Sequence, residues 1–580
     1  MNDIIIGIDL GTTNSEVAVL RDGRVQVLAV GPGTRILPSM VGLADDGTLL
    51  VGEAARNQYV LRPEATVRSI KRRMGEDAQV ELGGKQYSPQ EISAMILRRL
   101  KQVAEEHLGQ PVEKAVITVP AYFSDVQRQA TREAGQIAGL EVVRIINEPT
   151  AAALAYESGH EGARKVLVYD LGGGTFDVSV VNLEGDVVEV LASHGNNHLG
   201  GDDFDELIVE LAIAHLRELH GADLELPAGA MARVRRAAET AKIALSDQPF
   251  ATLAEEYLLE RDGVPLHLSL EISRDHYEEL IAPFIDETMD AMHTALAGAG
   301  LTASGIDEIL LVGGATRTPL VAQRLEQMLG VQPRGELDPD LCVAMGAAIQ
   351  AGVIAGVKTS AVLVDVTPYT FGTSALDDLD GEYYAHCFVP LIRKNTAIPV
   401  SKSDVFYTTH AGQEKVEVMV YQGENRDALE NIEIGRFMID LRRNAPMHSA
   451  IVTTFTLDVD GILHVTSREK ETGVEHSITI ANAIARFEDD KLDQARARVD
   501  TLFGGAGAAS DVTESGQRRH RVEAVALVEK ATRLLDLAGP EDGEDLVDAI
   551  ESVKDALDGP DEALREASGS LADLIYYLES

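Results

Sequence analysis

Tryptophan is absent from the 580 residues, cysteine occurs twice, and aromatic residues make up only 4%. Cys342 and Cys387 each stand apart from any Cys-x-x-Cys or metal-ligand spacing, which argues against a disulfide framework and against a cysteine-based zinc site. That usage suits a reducing cytosol. Positive charge is also scarce: 51 Lys and Arg face 94 Asp and Glu, a formal net charge of -43. Such a balance repels a nucleic-acid backbone or an anionic membrane, and short clusters such as Lys71-Arg72-Arg73 do not offset it. No uninterrupted apolar run approaches the roughly 18 residues of a spanning helix, and no basic stretch followed by a long apolar region stands at the N-terminus. The chain reads as soluble, unexported and cytoplasmic, with neither nucleic acid nor membrane as partner.

What is present is an ordinary globular composition, 45% hydrophobic and 25% charged, on a chain too long for a single core. Residues 1–357 alternate short apolar runs with longer helical patterns, as a mixed α/β domain does; the runs include IIIGI, KAVITV, KVLVYD and DEILLVGG. Residues 358–366 contain the apolar strip SAVLVDV, which reads as a linker with no helix or sheet of its own. Strand periodicity then takes over: Val416, Val418 and Val420 share one face, as do Phe455, Leu457 and Val459, and Asp460-Gly461 predicts a type I′ hairpin turn. Residues 367–480 thus read as an all-β domain. Over 481–580 the spacing is helical, with Leu546, Val547, Ile550, Val553 and Leu557 along one segment and GGAGAAS at 504–510 as a flexible joint.

The sharpest signal is a repeat. Ile5 to Val19 read IIGIDLGTTNSEVAV, and Val168 to Val180 read VYDLGGGTFDVSV. Neither loop continues as a P-loop or a dinucleotide fingerprint. After the first, Val17 and Val19 alternate with Glu16 and Ala18, and FDVSVV alternates the same way after the second, so each loop is the tip of a β-hairpin. Glycines let backbone amides approach an anion closely, and threonine hydroxyls add donors. Two such tips facing each other would clamp a polyphosphate, with Asp9 and Asp170 at the strand ends holding the water shell of a Mg²⁺ ion. One loop alone would equally be a tight turn capped by aspartate; the matched pair favours the clamp.

The stretches IGIDLGTTNS, VITVPAYFSDVQRQAT, IINEPTAAALAY, YDLGGGTFDVS, LGGDDFD and LVGGATRTPL resemble, in order and spacing, the 70-kDa heat-shock-protein chaperones of the DnaK type, over residues 1 to about 480. That resemblance implies an actin-like α/β ATPase domain with two duplicated lobes, then an all-β peptide-binding sandwich, then a short α-helical lid. It implies ATP hydrolysis, ATP/ADP and Mg²⁺ as cofactors, and K⁺ as a further cation. Matching positions put Gly11, Thr12 and Thr13 in one phosphate loop and Gly172, Gly173, Gly174 and Thr175 in the other, with Asp9 and Asp170 at the metal and Asp177 beside it. Lys71 matches the family's catalytic lysine and Glu148 its hydrolytic acid, with Thr175 and Asp177 completing the set; Asn147-Glu148-Pro149 is equally a helix start. Gly200 and Gly201 would approach phosphate or ribose. Glu239, Lys242 and Ser246 share one helical face and match the adenosine-contacting helix, with Gly313, Gly314 and Arg317 at the adenine and Asp340 near the nucleoside.

The same resemblance assigns coupling and client residues. Pro120, Arg128 and Arg144 match a relay between nucleotide site, linker and a J-domain co-chaperone, while Leu363, Val364 and Asp365 lie in the strip that docks when ATP is bound. Phe406, Val416 and Val418 match the peptide pocket and Leu376 its covering arch; plain sandwich core is the other reading of each. The implied partners are unfolded or extended polypeptides, a J-domain co-chaperone and a nucleotide-exchange factor. The sequence departs from the pattern in the long acidic SALDDLDGEYYAHCFVPLI, in RRNAPMHSA, which lacks the usual Pro-Arg-Gly, and in a compact lid. YQGENRDALENIEIGRF, the compact lid and the short insertion-free segment after Lys71 together resemble the specialised bacterial, HscC-like paralogues more than housekeeping members. A sugar kinase or a filament-forming protein on an actin-like fold is the rival reading, and neither has a use for the linker and β domain.

Overall fold

The computed structural model describes residues 4–157, 162–261, 263–334, 338–357, 362–442, 445–479, 489–504, 531, 540–556, 563–564, 567–568 and 570–571. The chain divides into two compact units, Met1–Thr501 and Leu502–Ser580. The start of the strip at 358–361, residues 443–444 of RRNAPMHSA, the joint beyond Gly504 and Leu557 lie outside the described residues.

Both glycine loops are hairpin tips. Strand Ile5–Leu10 runs antiparallel to Asn14–Arg21, which pairs in turn with Arg24–Val27. Lys114–Val119 joins the free edge of the first strand in parallel, and Glu141–Asn147 lies parallel beyond it. The second sheet repeats this plan: Arg164–Leu171, Phe176–Glu184 and Val187–Asn196 form an antiparallel meander, with Glu308–Val312 parallel against the first of them. The opening strand of each hairpin is buried along nearly its whole length, which is why both read as continuous apolar runs.

Two alanine-rich helices, Glu148–Glu157 and Cys342–Ile354, share one core with both sheets, joining Ile5, Val116 and Ile146 of the first to Val166, Val168 and Val312 of the second. Their small residues make the approach possible. A Cβ added at Gly346 would stand 1.7 Å from the Ala151 carbonyl, and one at Gly7 would stand 2.2 Å from the Ala348 nitrogen. Close packing here turns the two hairpin tips toward a common cleft.

The strip read as a structureless linker is a strand. Val362–Val366 pairs in parallel with Val187–Asn196 and continues antiparallel to Ala397–Ile398. Its amides satisfy an otherwise open sheet edge, and Leu363 packs on the core beneath.

Beyond it, two four-stranded antiparallel sheets share a core of Phe371, Ile392 and Val420 against Phe455, Leu463 and Val465. The turn at Asp460-Gly461 is not type I′, because only Gly461 has positive φ, at 75°. Asp458 accepts from the amides of Asp460 and Ile462, both at 2.9 Å, which builds a longer loop closing on glycine. Positive φ at both central positions, as type I′ needs, occurs instead at Asp22-Gly23, 51° and 75°, and at Asp380-Gly381, 56° and 96°, the latter at the tip of the acidic hairpin formed by Phe371–Leu379 and Glu382–Ile392. Helix Asp489–Gly504 meets helix Pro89–Leu108 through Arg498, which donates to Glu91 at 2.7 Å.

In the second unit, helix Pro540–Ala556 buries Leu546, Ile550 and Val553 with Ala531, Leu564 and Leu571, while Val547 is exposed. Among the described residues no helix is long and apolar enough to cross a membrane.

Candidate active site

The cleft between the hairpins is lined by Asp9, Gly11, Thr12, Thr13, Lys71, Glu148, Asp170, Gly172, Gly173, Thr175, Gly313, Gly314 and Asp340, residues far apart in sequence. Lys71 comes from a short 3₁₀ turn after Ser69, whose φ of 52° is left-handed. Glu148 opens the helix that follows strand Glu141–Asn147. The Lys71 ammonium donates to the Glu148 carboxylate, and both side chains are almost wholly buried. Burial, with Asp9 adding to it, raises Glu148 to about 7 against the pull of Lys71.

Each hairpin contributes an acidic residue at the end of its first strand. Asp9 accepts from Thr118 Oγ1 at 2.7 Å. The Asp170 carboxylate has no hydrogen-bond partner among the described residues, and burial beside Glu148, Asp177 and Asp9 raises it well above the ordinary range. Two buried carboxylates turned to one cavity, one of them without a donor, are the chemistry that a hydrated divalent ion satisfies. Among the described residues no three His, Cys, Asp or Glu side chains converge tightly enough to hold an ion by themselves.

The glycines are there because the loops nest. A Cβ at Gly200 would fall 2.6 Å from the Gly173 carbonyl, and one at Gly313, whose φ is 82°, would fall 2.4 Å from the Leu171 oxygen. The amides of Gly201 and Asp202 donate to the carbonyls of Gly172 and Gly173 at 2.9 and 2.7 Å, fixing the start of helix Gly201–His220 on the second tip. Gly174 in turn accepts from Arg72 Nε at 3.1 Å, and Arg72 forks onto Asp203, with Nη1 to Oδ1 at 3.2 Å. Arg72 was legible only as one of three basic residues in a row.

At the proposed nucleoside end, Lys242 donates to the Gly201 carbonyl at 3.0 Å and to Asp205 at 2.9 Å. Glu239 lines a neighbouring cavity that shares Thr12, Thr13 and Asn14 with the first. Ser246 lines neither cavity. Arg317 donates to Asp338 and Asp340 at 3.0 and 2.8 Å, so its guanidinium is held at the rim. Asp177 is absent from the cleft lining: its carboxylate accepts from the amides of Ala121 and Tyr122, both at 3.0 Å. Sequence reasoning overlooked Glu16, which lines the cleft at 2% exposure. Its alternation with Val17 marked a strand but gave no sign that helices cover both faces.

A polar chain leads away from Glu148. Its neighbour Asn147 accepts from Arg128 at 2.7 Å and donates to Asp365 of the edge strand at 2.9 Å, while Thr150 reaches the same Asp365 oxygen at 3.2 Å. Arg128 also donates to the carbonyls of Ala121 and Phe123, just after Pro120. Asp460 of the β region accepts from the Ile145 amide at 3.0 Å and from Arg132, with Arg144 3.9 Å away. Leu363 and Val364 sit in register with Val188 and Glu189.

Of the expected client residues, Val418 is buried with Ile439, Leu441 and Ile451, and Val416 packs on that cluster. Phe406 is half-buried, opposite Ile451. Leu376 stands apart at 52% exposure, on the acidic hairpin.

A family model described as "Hsp70 protein" matches residues 5–82 and 76–573. The chain is 47% identical over 496 residues, 84% of its length and 82% of the relative's, to a protein of Thermotoga neapolitana named "Chaperone protein DnaK". The chain belongs to the Hsp70 family.

Proposed function

We propose that this protein is an ATP-hydrolysing molecular chaperone that binds and releases extended apolar polypeptide segments. The observation that carries the reading is the buried Lys71–Glu148 pair at the meeting of two matched hairpins, one residue from Asn147 and its bond to Asp365. Family membership and the DnaK relative support it. In this reading residues 1–357 form a two-lobed actin-like domain, 358–366 the linker, 367–480 the client-binding domain and 481–580 the lid.

Gly11, Thr12, Thr13 and the run from Gly172 to Thr175 hold the phosphates, with Gly200 and Gly201 behind them. Glu239, Lys242, Ser246, Gly313, Gly314, Arg317 and Asp340 hold the nucleoside. Lys71 supplies positive charge where negative charge develops on the transferred phosphoryl group. Glu148, raised toward neutrality, orients the attacking water and takes its proton. Mg²⁺, carried by Asp9 and Asp170, neutralises phosphate charge when bound, and K⁺ is a further cation of the site.

With ATP bound, Asp365 stays on Asn147 and Thr150 and the client site stays open. Hydrolysis, stimulated by a J-domain co-chaperone at the relay of Pro120, Arg128 and Arg144, loosens that hold and traps the client. A nucleotide-exchange factor resets the cycle, in the cytoplasm.

The test is phosphate release from ATP by the purified chain, with and without an unfolded apolar peptide and a J-domain protein. Turnover that rises with both is expected. No hydrolysis, or a rate indifferent to peptide, overturns the reading.

A further inference from the structure

The two hairpins are matched residue by residue, and in each the register sets a second acid opposite the first. Asp9 faces Glu16 across one pair of strands, and Asp170 faces Asp177 across the other. Like charges directly opposite each other on a sheet repel, so each pair needs compensation. For Asp177 it is visible as the two amides of Ala121 and Tyr122, each at 3.0 Å. For Glu16 it is missing: the side chain is 2% exposed, lines the cleft, and has no hydrogen-bond partner among the described residues.

Nor does the neighbourhood compensate. The cleft is lined by the carboxylates of Asp9, Glu16, Glu148, Asp170 and Asp340 and by one lysine, Lys71, whose ammonium is already on Glu148. Asp340 is partly neutralised by Arg317. A polyphosphate entering this cleft adds negative charge next to a buried acid with no donor, and a buried charge persists only when paired or coordinated.

We propose that Glu16 holds a second divalent cation, beside the one carried by Asp9 and Asp170, when a nucleoside polyphosphate occupies the cleft. The inference rests on the nucleotide reading of this site. A divalent rather than a monovalent ion fits the excess of carboxylate over ammonium, and hard oxygen donors from Glu16 and phosphate suit a hydrated ion of the Mg²⁺ class. The consequence is a nucleotide affinity that depends on divalent concentration more steeply than one ion allows.

The experiment is a Mn²⁺ titration of the full chain with ADP, counted by the loss of the free-ion paramagnetic resonance signal, alongside Glu16→Gln. Two Mn²⁺ per ADP-bound chain in the parent and one in Glu16→Gln are expected; the retained ion in the variant shows that its cleft is intact. One Mn²⁺ in both, the result a monovalent occupant would also give, overturns the second site and leaves the nucleotide reading standing. Two in both assigns the second ion elsewhere and equally overturns the role of Glu16. No binding of ADP by the parent chain overturns the nucleotide reading itself.

Discussion

The first hairpin carries threonines where the second carries glycines, and the difference follows from how the tips nest. At the second tip a Cβ on Gly173 would lie 1.8 Å from Thr13 Oγ1, and one on Gly174 would lie 2.5 Å from Thr12 Cγ2. The first loop supplies side chains, and the second yields the room they occupy. The acids opposite the strand ends differ in a complementary way. Asp177 is tied to Ala121 and Tyr122, whose carbonyls receive Arg128 and the Tyr369 hydroxyl at 3.0 and 2.5 Å, so the second hairpin is wired to the edge strand and the β region. Glu16 has no such tie. One backbone device, used twice, thus provides a mechanical connection on one side and an electrostatic demand on the other.

The largest expected effect comes from removing the cation the two hairpins share. Lys71→Ala should lower single-turnover phosphate release by about 100-fold or more, as loss of one charge-stabilising group does, while labelled ADP still binds; near-normal turnover would separate Lys71 from the chemistry. Next, Asp177→Asn should destabilise the nucleotide-free chain by about 1–3 kcal/mol, the cost of leaving a buried amide donor unmet. Glu16→Gln should not destabilise it, since the substitution removes a buried carboxyl that no donor holds. Denaturant melting of both variants decides the point, and equal losses would erase the contrast between the hairpins.

A smaller effect concerns the wiring. Asp365→Ala removes the partner of Asn147 and Thr150 and should reduce peptide stimulation of phosphate release by about 5-fold or more, the lower end of ordinary coupling energies. Unchanged stimulation would show that the Asn147 contact carries no signal.

The smallest expected effect is a dependence on pH. Asp125, beside Arg128, is held at about 7 by burial, with Asp458 adding to the shift and Arg128 opposing it, against an ordinary 3.8. A raised acid favours the packed arrangement when protonated. The stabilisation is therefore full below the ordinary value and is lost as pH rises toward about 7. Hydrogen exchange at residues 459–463, corrected for its intrinsic rate, should slow as pH falls from about 8 to about 5. Asp125→Asn should abolish that trend, and a trend surviving in the variant would exclude Asp125 as its source.

Local chemistry was legible in the sequence where it repeats at short range. Asp-Leu-Gly followed by period-two residues gave both hairpins, and continuous apolar runs gave the buried strands. Contacts made by distant segments were not legible from spacing. Lys71 and Glu148 stand 77 positions apart and Arg132 and Asp460 stand 328 apart, so the first pair was reachable only through family resemblance and the second not at all. Alternation identified the strand of Glu16 but could not say that a helix lies over its polar face. The Asp460-Gly461 dipeptide failed as a type I′ signal for a related reason: the Asp458 side chain reshaped that turn, whereas Asp380-Gly381 has positive φ at both positions.

On the proposed function, nucleotide in the cleft and polypeptide in the β region share one free energy of coupling. Coupling of that kind is reciprocal. The direct measurement is the dissociation rate of a fluorescent apolar peptide from the full chain in ADP and after mixing with ATP. ATP is expected to accelerate release by about 10-fold or more, and Asp365→Ala to blunt the acceleration. The same dissociation rate in ATP and in ADP would contradict it.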